Sequence, residues 1–547
     1  MPKQKTVAEQ LATKQKEISI SEFFTRNRHL LGFDNPSRAL LMTIKEAVDN
    51  SLDACSEMKV LPDLFVSIKQ INETRFLVIV EDNGPGIVKQ QIPNIFAKLL
   101  YGSKFHTLKQ NRGQQGIGIS ASVLYSQLST GKPTKIISKT GRDKPAHYYE
   151  LNIDTKKNEP KVITDRVVDW VKEHGTKIEI ELEGKYLKGR QSVDEYVKQT
   201  AIVNPHAQIT YIAPDNEKVV YHRATQELPK ESKEIKPHPH GIELGTFIKM
   251  LHDTTTNTIH GFFQGDFSRI GAKTASDVCN ESKISSRSNP RKLSSLEAEK
   301  LFKALQSAKI MAPPTDCLSP IGSELLERGL RKEINAEFYV TTSRPTSVYR
   351  GMPFQIEVGI AYGGDLPKDT QVKLLRFANR VPLLYQQGAC AITEAVTSTN
   401  WKAYDLQQSG SNLPVGPAVI TVHMASVWVP FTSESKEAIA HYDEIIKEIK
   451  LALQYCGRQL ASYIRKNVKA REQRDRVNLF ERYIPELANS LSLLSGEKKD
   501  VIEKNLNEVL EKGMKGLMAE IHEDENSEIK GKNVEFAEKQ ITLDEIN

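Results

Sequence analysis

Three short clusters in the N-terminal part of the chain carry side chains suited to a phosphorylated ligand. The first is Glu46-Ala47-Val48-Asp49-Asn50-Ser51-Leu52-Asp53-Ala54. Glu46, Asn50 and Asp53 stand at i, i+4 and i+7, so on a helix they share one face. A magnesium ion carrying nucleotide phosphates takes oxygen ligands and keeps several waters. The neutral amide oxygen of Asn50 suits such an ion because it does not repel the phosphates. Glu46, one turn away, is placed to orient or deprotonate an attacking water. Taken alone, the cluster reads more readily as a solvated polar face.

The second cluster is Asp82-Asn83-Gly84-Pro85-Gly86, which follows the apolar run FLVIV. A carboxylate at a strand end can accept a hydrogen bond from an exocyclic amine such as adenine N6. Gly84 and Gly86 let the backbone turn tightly and a flat base approach. The third is Arg112-Gly113-Gln114-Gln115-Gly116-Ile117-Gly118-Ile119-Ser120, ahead of the helix-prone ASVLYSQL. Glycines before a helix leave successive backbone N–H groups to hold phosphates, and the helix dipole adds positive potential there. No GK[ST] follows at the spacing of a Walker A loop. Either cluster alone is a weak signal; the order and spacing of all three, within about 75 residues, is specific.

The elements that must position these clusters are legible in outline. Ser21 can cap a helix over EFFTRN, and Ser37 a longer one through Ala54, whose Leu40, Leu41, Ile44, Ala47, Val48 and Leu52 recur near helical period. Strands are expected at Leu64–Lys69, Phe76–Val80, Lys135–Thr140, Tyr148–Leu151 and Thr176–Glu181, completing an α/β sandwich by about residue 228. A basic, Pro/His-rich stretch, KESKEIKPHPHG, marks a boundary. Residues 241–310 read as helical. Strands at Gln355–Tyr362, Val372–Phe377 and Ala418–Trp428, with a helix near Thr393, suggest a βαβ crossover.

No proline occurs between Pro430 and Pro485, and Tyr442, Ile445, Ile449, Leu453, Cys456, Leu460 and Ile464 recur at helical spacing. A helix of some 40 residues there spans roughly 60 Å at about 1.5 Å per residue, a lever rather than a core element. From Ser495 the chain is charged and helix-prone, then fades into a polar tail.

Composition sets the outer bounds. With 547 residues, 39% hydrophobic and 26% charged, the chain reads as several globular domains. Its first residues are polar, and no stretch of about eighteen apolar residues suggests a membrane span. The five cysteines are scattered, which argues against a disulfide framework or zinc site and fits a reducing cytoplasm. A net charge of +6, from 75 basic and 69 acidic residues, permits contact with nucleic acid without demonstrating it. The lysines of PKESKEIK and the basic residues of SRSNPRK can meet phosphates, but nothing resembles a base-reading helix.

EAVDNSLDA, DNGPGI and RGQQGIGI resemble the three nucleotide boxes of the GHKL ATPases (gyrase B, the ninety-kilodalton heat-shock chaperones, histidine kinases and MutL), and His174-Gly175-Thr176 resembles their later strand motif. Beyond residue 228, KPHPHG, FFQGDFSRIGAKTASDV, PPTDCLSPIG, RGMPFQIEVGIAYGG and LLRFANRVPLLY resemble, in series, the B subunits of type IIB DNA topoisomerases (topoisomerase VI). The likeness covers roughly residues 18–485.

The resemblance implies a multidomain α+β chain: a Bergerat-type ATPase sandwich with an N-terminal strap (1–228), a helix-two-turns-helix insert (229–310), a transducer with a βαβ crossover and long stalk helix (311–475), and a C-terminal helical segment (476–547). It implies ATP and Mg2+ as ligands, with Glu46 activating water, Asn50 on the metal and Asp82 on adenine. Asp53, Gly84, Gly86, Ser103, Lys104 and Thr176 join the nucleotide site, and the lid Gly113, Gln114, Gln115, Gly116, Ile117, Gly118, Ile119 and Ser120 wraps the phosphates. At the Ser120 position some members carry lysine, so the backbone contact is the one expected to survive. Lys436, at the start of the long helix, matches the family's switch lysine.

The implied assembly is an A2B2 heterotetramer in which the A subunits cleave DNA. The B subunit dimerises on ATP, acts on double-stranded DNA away from membranes, and resides in the cytoplasm at the nucleoid. Two alternatives are a MutL-like ATPase, which would lack the 229–310 insert, and a nucleotide-binding scaffold without turnover.

Overall fold

Asn35 and Pro36 start the helix that carries the first cluster. The Asn35 side chain accepts from the backbone N–H of Arg38 at 2.9 Å, and Pro36 opens the first turn, where a missing N–H costs nothing. This helix, α1 (Pro36–Met58), therefore begins two residues earlier than a Ser37 cap would place it. The preceding helix, Ile20–Arg26, is likewise capped by Ser19 and not by Ser21, which is buried and donates to Asn158 Oδ1. The computed structural model describes residues 7–13, 15–103, 107–113, 116–433 and 435–510.

An eight-stranded sheet supports α1. Its strands are β1 (Asp63–Gln70), β2 (Arg75–Glu81), β3 (Thr134–Lys139), β4 (Ala146–Asp154), β5 (Glu159–Val168), β6 (Gly175–Glu183), β7 (Gln208–Ile212) and β8 (Lys218–Tyr221), in the order β5-β4-β3-β6-β2-β1-β7-β8. Every pairing is antiparallel except β1 with β7. Alternating Val and Ile of β1, β2 and β6 bury against Ile44, Val48 and Leu52 of α1 and Val123 and Leu124 of α2 (Gly118–Thr130). The sheet also holds β5, β7 and β8, and a third helix, α3 (Val193–Val203), packs with it; sequence patterning signals none of these four.

Four helices, Leu244–Asp253, Ile259–Asp266, Ala272–Ser282 and Ser295–Ser307, follow around their own core of Phe247, Phe262, Phe263, Phe267 and Leu301. The second sheet contains β9 (Phe338–Ser343), β10 (Ser347–Tyr349), β11 (Met352–Tyr362), β12 (Lys373–Ala378), β13 (Val381–Pro382) and β14 (Ala418–Ser426). β12 and β14 run parallel and are joined through the helix Ala391–Thr397, so the expected crossover is present. Ile202 and Val203 at the end of α3 share a core with Leu326, Leu330, Leu375, Phe377 and Val419, which joins the two sheets in one packed body.

The long helix, α4 (Asp443–Ser495), is 53 residues and runs through Pro485. The chain divides into two compact units, Met1–Leu460 and Ala461–Asn547. In the first, Ile445, Ile449, Leu453, Cys456 and Leu460 are buried, as their spacing predicts; Tyr442 is only half-buried, and so is Ile464 in the second. In that second unit Ile484 and Ala488 are buried, and helix resumes over 499–510 with Ile502 buried. Among the described residues no helix is long and apolar enough to cross a membrane. All five cysteines are free and buried.

Candidate active site

A cavity of about 550 Å3, within the usual range for small-molecule sites, opens between α1, the end of β2 and the start of α2. Glu46, Asn50, Asp82, Gly86, Ser103, Gly113, Gly116, Ile117, Gly118, Ile119, Thr176 and Lys436 line it, so most of the residues singled out from sequence converge there. Apolar walls come from Val80, Ile87, Ile95, Phe96 and Ile178. Lys104, Gln114 and Gln115 lie outside the described residues.

Asp82 is held by the elements on either side of it. Its Oδ1 accepts from the backbone N–H of Gly84 at 2.8 Å and of Thr176 at 3.1 Å, and its Oδ2 from Ser51 Oγ at 3.0 Å. Burial raises its pKa above the usual 3.8, while those hydrogen bonds and Lys172 oppose the rise. The carboxylate is fixed in orientation, and Oδ2, with a single donor among the described residues, retains capacity to accept from a bound amine. His174 Nδ1 meets the Gly84 carbonyl at 2.9 Å, so the later strand motif braces the same turn. Gly86 (φ +70) approaches β3 so closely that a Cβ would lie 2.0 Å from the Lys139 carbonyl. No other residue fits there.

Glu46 reaches from α1 to the start of α2 and covers the Cα of Gly118. Asn50, on the same face, is exposed to the cavity, and its amide makes no hydrogen bond among the described residues. An amide oxygen beside a carboxylate, both facing the loop that opens a helix, is a donor set suited to a phosphate-bound magnesium ion.

Three expected residues lie elsewhere. Asp53 points out of the cavity: its Oδ1 pairs with Arg112 Nη1 at 2.8 Å and its Oδ2 accepts from Gly113 N–H at 3.4 Å. It anchors the root of the lid, a role that one-face spacing could not separate from ligand contact. Gly84 is also outside the lining and serves as a donor to Asp82. Ser120 is turned inward, its Oγ donating to the Ile117 carbonyl at 2.9 Å.

Lys436 reaches the cavity from the second sheet, but not from the start of the long helix. It sits in a left-handed turn (φ +52) between Phe431 and Ile439, which bridge each other, and α4 begins only at Asp443. Its Nζ donates to the Arg112 carbonyl at 3.2 Å. Residues of α1 that the sequence did not single out hold this turn: Lys45 Nζ donates to the Ser435 carbonyl at 3.4 Å, Arg38 donates to Ser435 Oγ at 3.3 Å, and Arg38 pairs with Glu437. Burial lowers the Lys45 pKa, with Asp49 and Glu46 opposing the fall. The helix that carries Glu46 and Asn50 thus also holds the turn that carries Lys436. Arg112 belongs to the lid motif, yet its part in the site shows only in three dimensions: Nη2 donates to Asn204 Oδ1 at 2.6 Å, tying the lid root to the end of α3.

Comparison with known proteins bears on both sheets. Residues 35–184 match the family described as histidine kinase-, DNA gyrase B- and HSP90-like ATPase, and residues 313–476 the transducer of the topoisomerase VI B subunit. The B subunit of type 2 DNA topoisomerase 6 from Methanococcoides burtonii is 52% identical over 94% of this chain and 82% of its own length. Its counterpart in Archaeoglobus fulgidus is 49% identical over 83% of this chain and 75% of that protein. The Natronomonas pharaonis protein is 36% identical over 92% and 86%.

Proposed function

Since the chain belongs to the topoisomerase VI B-subunit family, we propose that it binds and hydrolyses ATP in the cavity between α1, β2 and the lid, and that this drives DNA passage by a type II topoisomerase. The observation that carries the reading is the convergence of Glu46, Asn50, Asp82 and Lys436 on that one cavity from three separate parts of the chain.

In this reading Asp82, fixed by Ser51, Gly84 and Thr176, accepts from the adenine amine while Val80, Ile95 and Ile178 pack on the base. Backbone N–H groups at Gly116 to Ile119 meet the phosphates at the N-terminus of α2, where the helix dipole favours negative charge. A magnesium ion, when bound, neutralises phosphate charge, and Asn50 is the side chain that holds it. Glu46 orients the attacking water and takes its proton. Lys436 leaves the Arg112 carbonyl for the γ-phosphate and returns when that phosphate departs. A flexible ammonium with a neutral resting partner only 3.2 Å away is suited to such an exchange.

Cutting and rejoining DNA falls to a separate A-type partner, and two copies of this chain close on ATP as a gate for a second duplex. The test is reconstitution of the full chain with a topoisomerase VI A-type partner and supercoiled DNA. Relaxation that requires ATP supports the reading. Failure to bind that partner, or relaxation indifferent to ATP, contradicts it.

A further inference from the structure

The backbone that leads into the lid is gripped from behind, at successive residues, by the loop before the helix Ser323–Glu333 and by two turns of the second sheet. Gln110 N–H donates to the Cys317 carbonyl at 2.9 Å, and its side-chain amide exchanges two hydrogen bonds with the backbone of Ser319, at 3.1 and 2.7 Å. The Asn111 carbonyl accepts from Asn379 Nδ2 at 3.0 Å. The next carbonyl, that of Arg112, accepts from Lys436. Two consecutive lid-root carbonyls are thus held by two donors from the second sheet.

The two donors differ in how they are mounted. Lys436 ends a flexible stem. The Asn379 amide is fixed on every side: Nδ2 also donates to the Ser426 carbonyl at 2.9 Å, Oδ1 accepts from Ser426 N–H at 2.9 Å, and the side chain is buried. Ser426 is the last residue of β14, the strand that leads on to the Lys436 turn.

The turn that presents Asn379 is unusual. Asn379 and Arg380 join β12 to β13 as a two-residue hairpin loop, both with positive φ (+48 and +65). Such a loop ordinarily takes Asn followed by Gly, so Arg380 occupies the position where a side chain costs most. Its groups are all engaged at the joint: its N–H donates to His423 Nε2 at 2.9 Å, its guanidinium to the Ser319 and Pro320 carbonyls, and its carbonyl accepts from Asn204 Nδ2 at 3.4 Å. Asn204 is also the residue that holds Arg112. A backbone conformation that glycine would adopt more cheaply is kept where the second sheet meets the lid root.

We propose that Asn379 is a positioning residue of the nucleotide site: its amide fixes the Asn111–Arg112 backbone to β14, which holds the Arg112 carbonyl in register while Lys436 exchanges between that carbonyl and the nucleotide. This rests on the nucleotide reading above. Without the tether, the Asn111–Arg112 backbone is in register in only a minor fraction of the free protein, and apparent nucleotide affinity falls by that fraction.

The test uses the full chain and two variants. Asn379→Gly keeps the left-handed turn and deletes the amide. Asn379→Asp keeps the acceptor for Ser426 N–H but sets an oxygen against two carbonyls. For both, KM for ATP rises about tenfold, as a drop to about one molecule in ten with this backbone in register requires, while kcat stays within about twofold. A variant that merely unfolds in part lowers the amount of active protein and leaves KM unchanged, so the split survives a loss of stability.

Hydrogen exchange on the unmodified chain adds a reading that needs no variant. The amide of Gln110 stays protected with and without a nonhydrolysable ATP analogue, whereas residues 116–120 gain protection only with it. KM values within twofold of the unmodified chain for both variants, or a Gln110 amide that becomes protected only on nucleotide binding, overturn the proposal. An unmodified chain that binds no magnesium nucleotide overturns it together with the function it rests on.

Discussion

The Glu46 carboxylate lies so close over Gly118 that a Cβ on Gly118 would fall 1.7 Å from Oε2. The water-activating group assigned to α1 is therefore seated by the absence of a side chain on α2. Gly118→Ala must push the carboxylate aside. At a helix start this substitution would otherwise stabilise by up to about 1 kcal/mol. The expected outcome is a fall in kcat of about 100-fold, the lower end of what a positioned general base contributes, with nucleotide affinity much less affected. Steady-state ATPase kinetics beside a thermal melt checks this: a variant as stable as its parent and as active would show that Glu46 need not sit there.

Lys436→Met keeps the length and apolar stem of the side chain and removes the ammonium. If the charge acts on the γ-phosphate during hydrolysis, turnover falls by about 100-fold, the scale of losing one preorganised donor to developing charge. Binding of a nonhydrolysable analogue changes by only a few-fold. Equal losses in both measurements would place Lys436 in ground-state binding instead.

His423 gives the second sheet a specific response to acid. The Arg380 N–H donates to its Nε2, so the ring is neutral and its proton sits on Nδ1, 2.7 Å from Glu357 Oε2. Burial holds the His423 pKa below 6.5, with Arg380 and Arg112 adding to the fall and Glu357 opposing it. Burial pushes Glu357 up, but His423, Ile321 N–H and Gly322 N–H outweigh it and leave the pKa below 4.5. Both pKa values are depressed on folding. The stability from His423 is thus present above pH 6.5 and lost as pH falls through its folded value; that from Glu357 is lost below pH 4.5 in the same direction.

Below pH 6.5, and above the depressed folded-state pKa, unfolding takes up a proton at His423, with a slope that approaches about 1.4 kcal/mol per pH unit. His423→Asn lowers stability at about pH 7.5 and flattens this slope, so the urea midpoints of the two proteins converge as pH falls below 6.5. Parallel curves would mean that His423 is not buried neutral.

The nucleotide clusters could be read from the sequence because their chemistry is local. Glu46 and Asn50 need only a helix, and Asp82 and Gly86 only a strand end and a tight turn. What escaped depends on residues distant in the chain. Asp53 shares the face of Asn50 by spacing, yet Arg112 draws it to the lid root, and Ser120 turns to the Ile117 carbonyl because the backbone there offers an acceptor. The joint between Asn111 and Asn379 unites residues with no local pattern to link them.

Secondary structure failed where pattern was weak. β5 sits at a sheet edge with several of its residues exposed, including Val162, Ile163 and Val167, so its run lacks the alternation that marks a half-buried strand. Pro485 signals a helix end by its missing N–H, and α4 nevertheless continues to Ser495, with Ile484 and Ala488 buried beside it.

The decisive question is whether Glu46 performs chemistry or merely lines a binding site. Glu46→Gln preserves shape and removes the base. Single-turnover hydrolysis measured beside equilibrium binding of the same magnesium nucleotide tests it directly. Binding within a few-fold of the parent, with hydrolysis slower by at least about 100-fold, is the expected result for a general base. Undiminished hydrolysis by that variant would contradict it.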